Sequence, residues 1–415
     1  MNKEYIKTDE KNHVEEPFLL QLQAMEKFTE DALYWDVMRL DKAQQPADTG
    51  RESFEEVVMV DKLRDALHDI NPWMNSDQIT EAVEQITSFP GRDLIAENQA
   101  VLELLIKGGT VYSEEEKQNK PFNFIDFNKP DNNSYVAVSQ LKVQIPTTEK
   151  HIYPDIVCFV NGLPLVVIEC KSPKVQTPLD DAIDQLMRYS EQRGEQYEGS
   201  KRLFVYNQII IATCRNKAKF GTVTTPSENL FYRWTDPYPA TIDQLINYTK
   251  PAQAHYFVSD DGSESEDTQL RTAPNDQQRM VHGMLYPVNL LNILRTFTIF
   301  SATDKGKTIK IVGRYQQYRA VYKALENIKK ESPRERGGLI WHTQGSGKSL
   351  TMVFLMREIW RHPELMDYKF VILTDRTQLD GQINETANRS GFNVAQIGSI
   401  EDAKTILISG AFNAV

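Results

Sequence analysis

Asp155, Glu169 and Lys171 stand in the stretch PDIVCFVNGLPLVVIECKSP (154–173), where two short apolar runs end in charges. Two carboxylates at the end of a buried sheet are hard oxygen ligands of the kind that hold Mg2+. A lysine beside them can stabilise charge on a phosphate or help deprotonate a water. A bare Glu-x-Lys is more often an incidental ion pair at a solvated strand end, so the upstream aspartate carries weight. So does the next segment, 179–192, whose Ile183, Leu186, Met187 and Ser190 share one helical face. Gln185 and Tyr189 lie one turn apart beside that face.

A second set of residues points to nucleotide chemistry. HTQGSGKS (342–349) is a glycine-rich loop between an expected short strand, Leu339-Ile340-Trp341, and helical spacing from Leu350 to Trp360. Strand, loop and helix are the setting that a phosphate-binding loop requires. Thr343, Gly345, Ser346 and Gly347 would wrap phosphate oxygens, Lys348 would reach the outer phosphates, and Ser349 would ligate Mg2+. His342 departs from the general pattern, which has glycine there. Upstream, Arg314 and Gln317 have a spacing similar to the adenine-reading Q motif of superfamily 2 helicases. Downstream, KFVILTDRTQLDGQ (369–382) reads as a second strand followed by Asp375, Arg376 and Gln382, which resembles their motif Ia.

The elements that must position the first set begin with a hairpin. Ile156 to Val160 and Leu163 to Ile168 are separated by Asn161-Gly162, a turn signal. The second run does not alternate, so it belongs inside a sheet covered by helices on both faces. Parity then becomes critical. A plain two-residue turn would pair Val160 with Leu163 and Asp155 with Ile168, turning Asp155 away from Glu169 and Lys171. A shared metal predicts an odd loop, most simply three residues with Gly162 left-handed in a bulge.

With 415 residues the chain should hold two or three domains, and its 25% charged and 40% apolar residues are those of a water-soluble protein. Its apolar stretches are too short to span a membrane and its N-terminus has no apolar signal core, which predicts a cytoplasmic protein. Cys158, Cys170 and Cys214 have no metal-like spacing, and the first two read as core residues. A net charge of −11 speaks only weakly against nucleic acid, because a local stripe matters more than the sum. Lys305 to Arg336 is such a basic run, with a solvated helix face as the plainer reading. The acidic, Gly/Ser-bearing stretch at 259–269 reads as a linker or loop. The expected organisation is 1–258, a linker over 259–275, and 276–415.

Asp155, Glu169-x-Lys171 and Gln185-x-x-x-Tyr189 together resemble the PD-(D/E)xK nucleases of the Gln-x-x-x-Tyr type. Joined to a superfamily 2 phosphate loop, they resemble the restriction (motor) subunit of type I restriction-modification enzymes. GRESFEEVVMVDKLRDALHDINP (50–72), NNSYVAVSQLKV (132–143), YNQIIIAT (206–213) and GMLYPVNLLNILRTFTIF (283–300) share in that likeness. His342 is normal in that family, Cys170 is a mild departure, and residues 26–49 match poorly, leaving Glu15 as a candidate from the first helix.

The resemblance implies an α/β fold: a mixed nuclease-like sheet flanked by helices, then part of a RecA-like parallel α/β lobe. It implies Mg2+ and ATP as cofactors, double-stranded DNA as substrate, and modification and specificity subunits as partners. It implies ATP-driven translocation with cleavage away from the recognition site. Asp155 and Glu169 would hold Mg2+, Lys171 would position water or stabilise charge, and Gln185 and Tyr189 would support the site. No Asp-Glu-x-His strand or second lobe follows motif Ia, so the sequence also fits a truncated binding module that hydrolyses little ATP, or an autonomous nuclease with a vestigial phosphate loop.

Overall fold

The computed structural model describes residues 3–27, 33–225, 227–253, 273–303 and 306–373, with short stretches between 381 and 409. Residues 259–272, Lys305, Asp375, Arg376 and Gln382 lie outside the described residues. The chain divides into two compact units at Arg295/Thr296.

In the first unit the helices are α1 (Lys3–Glu10), α2 (Glu16–Gln23), α3 (Val60–Ile70), α4 (Ser76–Thr87), α5 (Leu94–Lys107), α6 (Pro178–Tyr189), α7 (Lys201–Tyr206), α8 (Ile242–Gln253), α9 (Asp276–Met284) and α10 (Pro287–Thr296). The strands are β1 (Asp36–Arg39), β2 (Gly109–Ser113), β3 (Gln118–Phe122), β4 (Tyr135–Ser139), β5 (Val143–Gln144), β6 (His151–Ile152), β7 (Ile156–Val160), β8 (Leu163–Cys170), β9 (Ile209–Cys214) and β10 (Lys217–Gly221). Six of them form one mixed sheet in the order β1-β4-β7-β8-β9-β10. Every residue of β4, β7, β8 and β9 is buried. Helices α6 and α7 pack on β8, which is why its apolar run needs no polar alternation.

Helices α9 and α10 sit on the first unit's side of the division, not in the second region where the acidic stretch would place them. Met280, Val281 and Met284 of α9 are fully buried. Buried polar ties anchor the same segment: Trp35 Nε1 donates to Leu285 O at 2.9 Å and Gln21 Nε2 to Gln277 Oε1 at 3.2 Å.

The hairpin at the centre departs from the expected three-residue loop. Val160 pairs directly with Leu163 across Asn161 (φ 52°) and Gly162 (φ 78°), a tight turn of two left-handed residues. Gly162 is left-handed, though in this two-residue turn and not in a bulge, and a Cβ there would lie 2.3 Å from Met59 O. Parity changes inside the strand. Phe159 pairs with Pro164 but Cys158 pairs with Val166, so Leu165 is an extra residue in a β-bulge. Pro164 has no N–H to give the ladder, and a bulge is where a sheet tolerates that.

The second unit contains the antiparallel pair β11 (Thr298–Ala302) and β12 (Thr308–Val312), with α11 (Tyr315–Ile328) packed on α12 (Lys348–Trp360). Phe297 and Phe354 stack in its core at 5.1 Å. The expected strand Leu339–Trp341 does not form, and Leu339 is 93% and Trp341 90% exposed. Of the expected strand after Lys369, Phe370 forms a single bridge and 371–373 have no strand pairing. The basic run is not one stripe: Lys310 is buried with its ammonium 5.4 Å from the Phe300 ring centre.

Candidate active site

The bulge brings three side chains into one row. Ser139 pairs with Ile156, and Ile156 with Ile168; one step further along each ladder Gln140 stands opposite Asp155 and Asp155 opposite Glu169. Directly opposed residues share a face, and Lys171 shares it by alternation. The sequence-predicted set therefore assembles. Asp155 is 6% exposed and Glu169 is fully buried. Lys171 Nζ donates to Glu169 Oε1 at 2.7 Å and to Cys170 O at 3.0 Å. Asp155 Oδ2 accepts the Cys170 N–H at 2.7 Å, which fixes the aspartate to the neighbouring strand.

Gln185 and Tyr189 support this row without hydrogen-bonding its carboxylates. Gln185 Nε2 donates to Tyr189 OH at 2.7 Å, and that hydroxyl donates to Tyr153 O at 3.3 Å, two residues before Asp155. Burial, with the charges of Glu169 and Asp155, pushes the Tyr189 hydroxyl upward, so it remains a donor.

The N-terminal helix closes the site with two more acids. Between α1 and α2, residues Lys11–Glu15 form a π-turn, with the Glu16 N–H bonded to Lys11 O. Such i→i+5 bonding brings residues five apart toward one face, and π-turns recur at functional sites. Glu10 and Glu15 are five apart. Glu10 Oε2 accepts the Ser172 N–H at 3.2 Å and its Oε1 lies 3.9 Å from Lys171 Nζ. Glu15 Oε2 accepts from Gln140 Nε2 at 2.8 Å, and the same nitrogen donates to Asp155 Oδ1 at 3.0 Å. Asp9 anchors the helix: its buried carboxylate accepts from Ser172 Oγ at 2.5 Å and pairs with Lys174 at 3.0 Å.

Glu169, Glu10 and Asp155 thus act on one ammonium, and Glu15 joins the cluster through Gln140 and the charge of Asp155. Burial, followed by the Asp155 charge, raises Glu169 well above the usual range. Burial raises Glu10 to about 7, against the pull of Lys171, and burial with the Asp155 charge raises Glu15 to about 7. For Lys171 burial opposes the charged form, but Glu169, Asp155 and Glu10 together outweigh it and the lysine holds its proton.

This electrostatic surplus is what a divalent cation relieves. Glu169 Oε2 is buried with no hydrogen-bond partner among the described residues, and it stands beside the Asp155 carboxylate, whose charge raises it. Among the described residues no group of three or more His, Cys, Asp or Glu side chains stands at metal-holding spacing. Asp155 and Glu169 are the two carboxylates of this row that could hold a cation, with other oxygens completing its shell.

In the second unit, Gly345 (φ 75°) and Gly347 (φ 85°) are left-handed, and Gly347 caps α12. Lys348 Nζ donates to His342 O at 2.8 Å and Thr343 O at 3.0 Å, closing the loop on itself. Ser346 Oγ donates to Thr343 O at 2.6 Å. Ser349 lies in the first turn of α12, where free N–H groups favour an anion. Gln317 is buried: its Oε1 accepts from Arg314 N at 2.8 Å and its Nε2 donates to Gly347 O at 3.1 Å. It thus ties the loop to the start of α11.

Sequence reasoning missed Glu10 and Gln140. Gln140 was legible in principle, since it directly follows an apolar strand. Glu10 carried no signal, because a spacing of five separates residues on an ordinary helix.

Residues 21–229 match the profile of the type I restriction enzyme R protein N terminus, and residues 316–413 that of the SWI2/SNF2 ATPase. The first match contains Gln140, Asp155, Glu169, Lys171, Gln185 and Tyr189, and starts after Glu10 and Glu15. The type I restriction enzyme HindI endonuclease subunit of Haemophilus influenzae is 33% identical over 336 residues, 80% of this chain and 29% of that protein. A Methanocaldococcus jannaschii protein provisionally described as the type I restriction enzyme MjaIXP endonuclease subunit is 26% identical over 342 residues, 80% of this chain and 30% of its own. The SauCOLORF180P endonuclease subunit of Staphylococcus aureus is 25% identical over 267 residues, 64% of this chain and 24% of its own. The chain spans about three tenths of the length of the first two relatives. Its first unit carries the matched segment and the row of acids that the segment positions, and the chain belongs to the type I restriction enzyme R protein N-terminus family.

Proposed function

We propose that the first unit hydrolyses DNA phosphodiesters with Mg2+, and that it works within a type I restriction subunit that uses ATP to translocate double-stranded DNA alongside modification and specificity subunits. The observation that carries the nuclease reading is the row Asp155, Glu169 and Lys171, set on one face by a bulge, with a single ammonium for its two carboxylates. Asp155 and Glu169 would hold the cation, whose chemistry when bound is Lewis-acid stabilisation of the phosphate. Lys171, charged and held by Glu169 Oε1, presents its ammonium to a phosphate oxygen or orients a water; it is not a base in this state. Tyr189 and Gln185 hold the backbone leading into Asp155. In the second unit Thr343, Gly345, Ser346, Gly347, Lys348 and Ser349 would receive the nucleotide phosphates, with Gln317 keeping the loop in shape and Ser349 reaching Mg2+. The Lys348 contacts to loop carbonyls are ones that a phosphate would replace.

The test is plasmid nicking by the 415-residue chain with Mg2+ or Mn2+, compared with Asp155→Ala and Lys171→Ala. Metal-dependent nicking that both substitutions remove supports the site. Cleavage that survives Asp155→Ala refutes it.

A further inference from the structure

Gln140 occupies a costly backbone conformation for a residue that a strand end does not otherwise require. Its φ is 56°, in the left-handed region that glycine and asparagine tolerate and that costs other residues energy. The surroundings hold it there. Its N–H donates to Asp155 O at 2.8 Å, and its C=O accepts from Gln44 Nε2 at 2.8 Å. Gln44 is itself buried, and its Oε1 takes the Lys142 N–H at 2.9 Å, bracketing the turn from both sides. The product of this arrangement is the direction of one amide. Gln140 Nε2 spends both its hydrogens on carboxylates, Asp155 Oδ1 at 3.0 Å and Glu15 Oε2 at 2.8 Å. Asp155 Oδ2 is already fixed by the Cys170 N–H. The amide therefore sets the remaining oxygen of Asp155 and docks the π-turn of the N-terminal segment against it.

We propose that Gln140 is a positioning residue of the divalent-cation site, orienting Asp155 and coupling Glu15 to it, so that the N-terminal segment and the sheet edge form one site. This rests on the reading of Asp155 and Glu169 as cation-holding. Partners that orient a ligating carboxylate typically contribute about 10–100-fold to metal affinity, and that is the size of effect expected here.

The experiment is calorimetric titration of Mn2+ into the 415-residue chain, its Gln140→Ala and Gln140→Asn variants, with thermal unfolding of each without metal. Asparagine tolerates the left-handed conformation but is one methylene too short to reach both carboxylates, so it keeps the turn and loses the bridge. Both variants should bind Mn2+ about 10–100-fold more weakly, and Gln140→Asn should unfold within a degree or two of the parent. Unchanged affinity in Gln140→Ala overturns the role. Parental affinity in Gln140→Asn also overturns it, by assigning the effect to the backbone. A parent chain that binds no Mn2+ overturns the cation reading itself and this role with it.

Discussion

The two units carry motifs of similar clarity and treat them in opposite ways. In the first, Glu169 is fully buried and held by Lys171 two residues on, and Asp155, nearly buried, is fixed by the Cys170 N–H of the neighbouring strand. In the second, Lys348 is exposed and its partners are carbonyls of its own loop. A phosphate loop is a local device: left-handed glycines followed by a helix N-terminus make it, and a few consecutive residues suffice. A two-carboxylate site is non-local, because it exists only when strand register and a distant helix agree. The comparison teaches that the nuclease site should be sensitive to changes far from it in sequence, and the phosphate loop mainly to changes within it.

The largest expected effect separates the two chemistries. In the full-length subunit with its partners, Asp155→Ala or Glu169→Ala should lower DNA cleavage by about 10²-fold or more while ATP hydrolysis continues. Lys348→Ala should remove ATP hydrolysis, translocation and cleavage together. Parallel assays of DNA cutting and phosphate release check this, and ATP turnover that collapses in Asp155→Ala would break the separation.

Next comes stability, tested with two left-handed glycines. In Gly162→Ala the new Cβ would meet backbone, Met59 O at 2.3 Å and Leu63 N at 3.0 Å. Neither atom can step aside, so a loss of about 3 kcal/mol or more is expected. Gly345→Ala meets nothing within 4 Å and should cost only the conformational strain, about 1 kcal/mol. Denaturant unfolding of the two variants measures the contrast, and equal losses would contradict it. Gly347→Ala falls between: it carries the same left-handed strain, and its Cβ would meet Gln317 Nε2 at 2.6 Å, a side chain that can move. Moving it frees the loop from α11, so ATP binding should also weaken by about tenfold, a difference of roughly 1.4 kcal/mol.

How much of this was legible follows the same local and non-local divide. The apolar run of β8, the turn at Asn161-Gly162 and the helix bearing Gln185 and Tyr189 came directly from residue pattern. The requirement that Asp155 and Glu169 share a face was also legible, as a parity argument. The means was not. Pro164 inside an apolar run was the available hint of a bulge, but a proline marks a disturbed ladder without saying where the extra residue sits. Glu10 was invisible, because its approach to the site depends on a π-turn whose energy comes from packing rather than from the five residues that form it. Leu339–Trp341 shows the converse limit, since short apolar segments form strands only where a partner edge receives them.

The smallest expected effect concerns the acids that the N-terminal segment brings. Glu10 and Glu15 titrate at about 7 in the folded chain, each raised mainly by burial, against an ordinary value near 4.5. Between those values the folded state holds protons that the unfolded state has released. Stability from these groups is therefore fully present below about pH 4.5 and is lost as pH rises through about 7. The metal-free chain should lose Tm between pH 5 and pH 8 from this source. Glu15→Gln, which cannot ionise, should flatten the profile. Adding Mn2+ should restore more stability at pH 8 than at pH 5, because cation binding releases the same protons. Thermal melts across pH, with and without Mn2+, provide the measurement. A metal-free Tm that rises over this range by the same amount in the parent and in Glu15→Gln would show that the acids of the N-terminal segment do not share the electrostatics of Asp155 and Glu169.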